Sequence, residues 1–111
     1  YVSGLTVLGG EPFEPSNQES LLPFLKRVKA KYPQKDIWVF SGFTLEELRD
    51  TKCRAHCNVT EEILGIIDVL VDGRFVEELK DITLRFRGSK NQRLIDMKET
   101  NKKGKPVMWC G

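Results

Sequence analysis

Three short apolar runs decide most of what this chain can become. Leu5-Thr6-Val7-Leu8, Ile37-Trp38-Val39-Phe40 and Val69-Leu70-Val71 lack the polar alternation of a half-exposed strand, as expected for strands covered on both faces. Each stops at small or polar residues: Gly9-Gly10, Ser41-Gly42 and Asp72-Gly73. Successive runs are roughly thirty residues apart, the length of a strand–helix–strand crossover. The stretches between them carry helical signals. Leu21, Leu25, Val28 and Tyr32 recur at helical intervals behind a Ser16/Glu19 capping-box spacing, with Pro33 as the stop. Pro23 inside this pattern implies either a kink or a later start, with Ser20 as cap. Thr44 and Glu47 form a second capping box ahead of Leu45–Arg49, and Thr60 is placed to cap a third helix carrying Ile63, Leu64 and Ile67. Asp50 to Asn58 is polar and reads as a loop, and Lys98 to Pro106 as a mobile basic tail.

The expected fold is therefore α/β: a mostly parallel sheet with right-handed crossover helices over residues 1–96, and a C-terminal basic tail over residues 97–111. With 111 residues the chain is one domain, and it falls well short of the roughly 250 residues of a complete (β/α)8 barrel. No apolar run approaches the roughly 18 residues of a membrane span, and no signal-peptide pattern opens the sequence. The 18 basic and 16 acidic side chains nearly cancel, which argues against a strong electrostatic nucleic-acid binder. Cys53, Cys57 and Cys110 are an odd number at uneven spacing, as in a reduced cytoplasmic protein rather than a disulfide scaffold.

Parallel sheets of this kind gather ligands beyond the carboxyl ends of their strands. Three loops should share that rim: Gly9–Pro12, Ser41–Phe43 and Asp72–Arg74. Two glycines after a strand let the backbone approach a ligand closely, Glu11 adds a carboxylate suited to an ammonium group, and Pro12 stiffens the exit. Taken alone, Gly-Gly-Glu-Pro is equally a tight turn, Ser41-Gly42 a helix entry, and Asp72/Arg74 a surface ion pair. Their convergence is what points to a site. Cys53, His56 and Cys57 lack the paired spacing of a zinc site, and no metal is expected there. Arg85, Arg87, Lys90 and Arg93 cluster among Gly88, Ser89, Asn91 and Gln92, a composition that grips polar partners or merely stays hydrated.

Four ordered blocks make the chain similar to a known family. They are Gly4-Leu5-Thr6-Val7-Leu8-Gly9-Gly10-Glu11-Pro12, Lys35-Asp36-Ile37-Trp38-Val39-Phe40-Ser41-Gly42-Phe43, Ile67-Asp68-Val69-Leu70-Val71-Asp72-Gly73-Arg74-Phe75, and Leu84-Arg85-Phe86-Arg87-Gly88-Ser89-Lys90-Asn91-Gln92-Arg93. Together they resemble the radical S-adenosylmethionine (radical SAM) proteins that activate anaerobic ribonucleoside-triphosphate reductase. The resemblance implies a partial (β/α) barrel with SAM and a [4Fe-4S] cluster at its rim. It further implies reductive cleavage of SAM to a 5′-deoxyadenosyl radical, which takes hydrogen from a glycine of the reductase. By the same resemblance Gly9, Gly10, Glu11 and Pro12 hold the methionyl amino group of SAM. Ser41, Asp72 and Arg74 approach the cofactor, with Arg74 standing where lysine is commoner. Arg87, Ser89, Asn91, Gln92 and Arg93 match a signature segment of the family, and docking of the reductase is the role we expect for it.

The family's Cys-x3-Cys-x2-Cys cluster loop precedes the Gly-Gly-Glu-Pro strand, whereas this sequence opens at Tyr1, just before that strand. The expectation is a C-terminal portion of an activating enzyme, inactive by itself, with the cluster ligands absent from the chain. Two other functions fit the same residues: a non-catalytic module that grips the reductase, or an activase for another glycyl radical enzyme such as pyruvate formate-lyase. An open barrel edge also makes a homodimer one option.

Overall fold

The computed structural model describes residues 4–7, 11–74, 76–80 and 91–109. Its elements run β1 (Gly4–Val7), α1 (Pro15–Lys31), β2 (Asp36–Phe40), α2 (Leu45–Arg49), α3 (Thr60–Ile66), β3 (Val69–Asp72), a 3-10 turn at Glu77–Leu79, β4 (Arg93–Asp96) and α4 (Met97–Lys103). The four strands form one sheet in the order β1-β2-β3-β4. β1, β2 and β3 are parallel, with Leu5 opposite Ile37 and Val39 opposite Leu70. β4 is antiparallel to β3, with Asp72 opposite Arg93. The mostly parallel α/β architecture expected from the three apolar runs is the one observed.

Burial shows which sheet face carries the core. Ile37 and Val39 of β2, Leu70 of β3 and Ile95 of β4 are fully buried in one cluster with Leu22, Leu25, Leu48, Ile63, Leu64 and Met97 from the helices. Trp38 and Phe40 point the other way and are only half-buried, so β2 alternates where its sequence suggested cover on both faces. All four residues of β3 are buried, as a central strand should be.

Helix starts differ from the sequence reading in two places. The Ser16/Glu19 capping box does not form. α1 begins at Pro15, a first-turn position where the missing N–H costs nothing, and Glu14 occupies the cap position without a side-chain bond to the helix amides. The helix then runs through Pro23 without restarting and ends at Lys31, two residues before Pro33. Pro23 lies on the solvent side, where water can serve the carbonyl its ring leaves unpaired. Thr60 is the first residue of α3 rather than its cap. The Thr44/Glu47 box forms in full, with the Glu47 amide donating to Thr44 Oγ1 at 3.1 Å and the Thr44 amide donating to Glu47 Oε1 at 2.9 Å.

The segment read as a mobile tail is structured. The Asp96 carboxylate accepts from the Glu99 amide at 3.0 Å and caps α4, and Gly104 ends it with φ of 72°. Met97 and Thr100 are buried, and Thr100 Oγ1 accepts from the Val107 amide at 2.9 Å. The chain then returns along β4: the Asp96 amide donates to the Val107 carbonyl and the Trp109 amide to the Leu94 carbonyl, each at 2.8 Å. Trp109 meets Trp38 edge-on, with ring centroids 4.9 Å apart.

Candidate ligand site at the carboxyl ends of the strands

Two of the three expected loops are joined directly. The Glu11 carboxylate, from the loop after β1, reaches the loop after β2. Its Oε2 accepts from Ser41 Oγ at 2.9 Å and from the Phe13 amide at 2.9 Å, and its Oε1 accepts from the Gly42 amide at 2.7 Å. Gly42 eases this approach, because a Cβ there would lie 3.3 Å from Oε1 and the carboxylate would have to give way by a few tenths of an ångström. Ser41 is buried and its Oγ also accepts from the Phe43 amide at 3.0 Å, so the hydroxyl works inward, orienting Glu11. An ionised carboxylate offers about four acceptor positions. Among the described residues three are taken, two on Oε2 and one on Oε1.

The third loop joins through the backbone. The Ser41 amide donates to the Val71 carbonyl at 2.9 Å and the Gly73 amide to the Phe43 carbonyl at 3.2 Å. Asp72 itself turns away from the rim surface. It is fully buried; Oδ2 accepts from the Leu45 amide at 2.8 Å and from Arg93 Nη2, while Oδ1 accepts from Arg93 Nε at 3.0 Å. Arg74 remains outside, its guanidinium 6.0 Å from the Phe43 ring centroid and 4.0 Å from Glu47 Oε2. Arg54 covers the same ring at 5.2 Å while pairing with Glu14 at 2.7 Å.

Of the sequence-derived site residues, the structure thus brings Glu11, Ser41 and Arg74 to one rim beside buried Pro12, and commits Asp72 to a fold contact. Gly9, Gly10, Arg87, Ser89 and Cys110 lie outside the described residues. Asn91, Gln92 and Arg93 direct side-chain bonds to the Arg74 carbonyl, the Gly73 carbonyl and the Asp72 carboxylate.

Arg93 also pairs with Glu46, Nη2 to Oε1 at 2.6 Å. Its hydrogen bond holds the Glu46 carboxyl below the usual carboxylate value, against a weaker upward push from burial. A lowered folded-state value adds stability that is present above the ordinary carboxylate range and lost as pH falls through the lowered one. Glu46 is largely exposed, so the contribution is under about 1 kcal/mol. Comparing unfolding of the native chain with Glu46→Gln should show a small difference at neutral pH that vanishes on the acid side. A difference that grows with acid would contradict this.

Sequence reasoning missed Gln18. It sits one and two turns before Leu22 and Leu25 on the inner face of α1, a polar residue in register with an apolar stripe. Fully buried, it donates through Nε2 to the Phe13 carbonyl at 2.8 Å and the Ala55 carbonyl at 2.6 Å. Its Oε1 accepts from Thr60 Oγ1 at 2.6 Å and lies 3.4 Å from Cys57 Sγ. Gln18 therefore ties the loop behind Glu11 to the Cys53–Cys57 segment. Cys53 and Cys57 are free thiols, half-buried, and His56 Nδ1 lies 2.9 Å from the Leu48 carbonyl. Among the described residues no three His, Cys, Asp or Glu side chains are grouped to hold a metal, and no helix is long and apolar enough to cross a membrane.

The fold is an α/β domain whose strand-end loops converge on the Glu11 carboxylate, and comparison with known proteins gives its class. Residues 1–95 match the model of the 4Fe-4S single cluster domain, and the chain belongs to that family. Among curated proteins it is similar to the anaerobic ribonucleoside-triphosphate reductase-activating protein of Haemophilus influenzae, 51% identical over 89 residues that are 80% of this chain and 52% of that protein. It is also similar to the proteins of the same name from Escherichia coli K12, at 40% over 89 residues (80% and 53%), and from enterobacteria phage T4, at 37% over 94 residues (85% and 53%). The chain spans about half the length of the curated relatives it matches. No solved structure matches it.

Proposed function

We propose that this chain is the SAM-holding part of a cytoplasmic radical SAM activating enzyme whose partner is the anaerobic ribonucleoside-triphosphate reductase, and that its sheet is a segment of a partial (β/α) barrel. The names of the relatives support the partner, and the rim supports the cofactor. The observation that carries the proposal is the Glu11 bridge to Ser41 and Gly42, which among the described residues leaves one carboxylate acceptor position unused at the strand ends. When bound, SAM is the source of the radical that such enzymes install on a glycine of the reductase.

The chain's own residues divide the work of holding it. Glu11 Oε1 would take the methionyl ammonium, with Pro12 following it and Gly9 and Gly10 preceding it in the sequence. Ser41 and the Gly42 amide fix the carboxylate so that it need not reorganise on binding. Arg74, exposed beside Phe43, is suited to the ligand's carboxylate. Asn91, Gln92 and Arg93 border this rim, and residues 87–93 belong to the docking side of the same proposal. The described residues do not fit a [4Fe-4S] cluster, since they offer only Cys53 and Cys57 as thiols; we place the ligands of the family's cluster outside them.

Equilibrium dialysis of SAM against the full-length protein under anaerobic conditions tests this. A charge-assisted hydrogen bond contributes about 1.5–3 kcal/mol, so Glu11→Ala should weaken SAM binding by at least about tenfold, with Glu11→Gln between it and the native protein. A native protein that does not bind SAM, or an alanine variant that binds it equally well, would overturn the proposal.

A further inference from the structure

We infer that Asn91, Gln92 and Arg93 are positioning residues that clamp the turn after β3 and thereby hold the Phe43–Arg74 side of the rim in place. Three consecutive side chains meet three consecutive residues in reverse order, as the antiparallel register of β4 on β3 requires. Arg93 forks onto the Asp72 carboxylate, Gln92 Nε2 donates to the Gly73 carbonyl at 3.0 Å, and Asn91 Nδ2 donates to the Arg74 carbonyl at 2.8 Å.

The backbone explains why side chains do this. Gly73 has φ of +100°, a conformation that favours glycine, and it turns the chain off the β3–β4 ladder just after the last paired residues. Beyond that point strand pairing no longer supplies donors for the Gly73 and Arg74 carbonyls, and the two amide side chains provide them. The fit is close: a Cβ on Gly73 would lie 3.7 Å from Asn91 Nδ2 and 3.8 Å from Gln92 Cα.

The clamped turn is in turn fastened to the β2 loop. Asp72 Oδ2 accepts from the Leu45 amide at 2.8 Å, and the Gly73 amide donates to the Phe43 carbonyl at 3.2 Å. One and two residues before Phe43, Gly42 and Ser41 hold Glu11. A continuous hydrogen-bonded chain thus runs from Asn91–Arg93 through the turn and residues 43–45 to the Glu11 carboxylate. It accounts for where Arg74 sits, since the Arg74 carbonyl is gripped while its guanidinium stays exposed. The clamp rests on contacts within this chain; only its consequence for SAM rests on the function proposed above.

Hydrogen–deuterium exchange on the full-length protein, read by mass spectrometry, tests the clamp without any ligand. Asn91→Ala/Gln92→Ala removes two hydrogen bonds of about 1 kcal/mol each. It should speed exchange roughly tenfold or more in peptides covering 41–45 and 72–74, and leave α1 and α3 unchanged. Gln92→Glu, which keeps the size but loses the donor, should act like Gln92→Ala. Gln92→Lys, which keeps a donor, should stay near native rates, and this rescue separates a specific bond from bulk packing. Unchanged exchange in those two segments, or an equal rise everywhere, would overturn the inference. SAM affinity of the same variants should fall several-fold when measured well below their unfolding midpoints. If the native protein binds no SAM, the functional proposal fails and the exchange pattern still decides the clamp.

Discussion

Replacing Gln18 with alanine is expected to destabilise the chain by about 3–5 kcal/mol, a large share of the roughly 5–15 kcal/mol that holds a domain of this size together. The side chain is fully buried and its amide group bonds Phe13, Ala55 and Thr60, with Cys57 beside it. Alanine would leave two carbonyls buried without these donors, each costing about 1–3 kcal/mol, and would add a small cavity. Gln18→Met separates the two causes. Methionine fills the space but donates nothing, so it should recover little if hydrogen bonding dominates and most of the loss if packing does. Urea unfolding monitored by tryptophan fluorescence would measure both variants. Midpoints near the native value for Gln18→Ala would show that the buried amide is not the tie between α1 and the Cys53–Cys57 segment.

Asp72→Ala is the second large effect, expected at about 3 kcal/mol. It removes the buried end of an ion pair whose other end, Arg93, is 31% exposed. For that reason the loss falls at the low end of the range for breaking buried pairs. The Leu45 amide also loses its acceptor at the start of α2. At roughly 4–8 °C per kcal/mol for a domain of about this length, the melting temperature should fall by more than about 10 °C. A double-mutant cycle with Arg93→Ala should return most of the loss as coupling between the two residues. If Asp72→Ala instead left the melting temperature unchanged while weakening SAM binding, Asp72 would be a ligand contact and its role as the fastening of the β3 turn would be wrong.

Much of the site was legible from strand ends alone. Once Leu5–Leu8, Ile37–Phe40 and Val69–Val71 are parallel strands of one sheet, the loops after them must share an edge, and the structure joins Glu11, Ser41 and Gly42 there. The direction in which Asp72 points was not legible. An acid after a buried strand can face the rim or turn inward, and the choice depends on Arg93, 21 residues later on an antiparallel strand. Gln18 left a trace in the sequence, a polar residue in register with Leu22 and Leu25, but its partners at Ala55, Cys57 and Thr60 come from a loop with no periodic signal. α4 was more readable than its lysines suggested. Asp96 stands three residues before Glu99, and Gly104 follows the last turn, which are start and stop signals that the basic composition obscures.

Local chemistry, carried by neighbours in the chain, was enough to establish the alternation of strand and helix, the parallel sheet, and which loops meet at its rim. Apolar runs must be covered, and a crossover of that length leaves two adjacent strands little choice of direction. Which carboxylate stays available and which is locked away was settled only in three dimensions. A buried charge needs a partner, and Asp72 found one in Arg93 while Glu11 found hydroxyl and amide donors that, among the described residues, leave one acceptor position of Oε1 unused. Those pairings join residues 21 to 31 positions apart, and their geometry exists only after the sheet has formed.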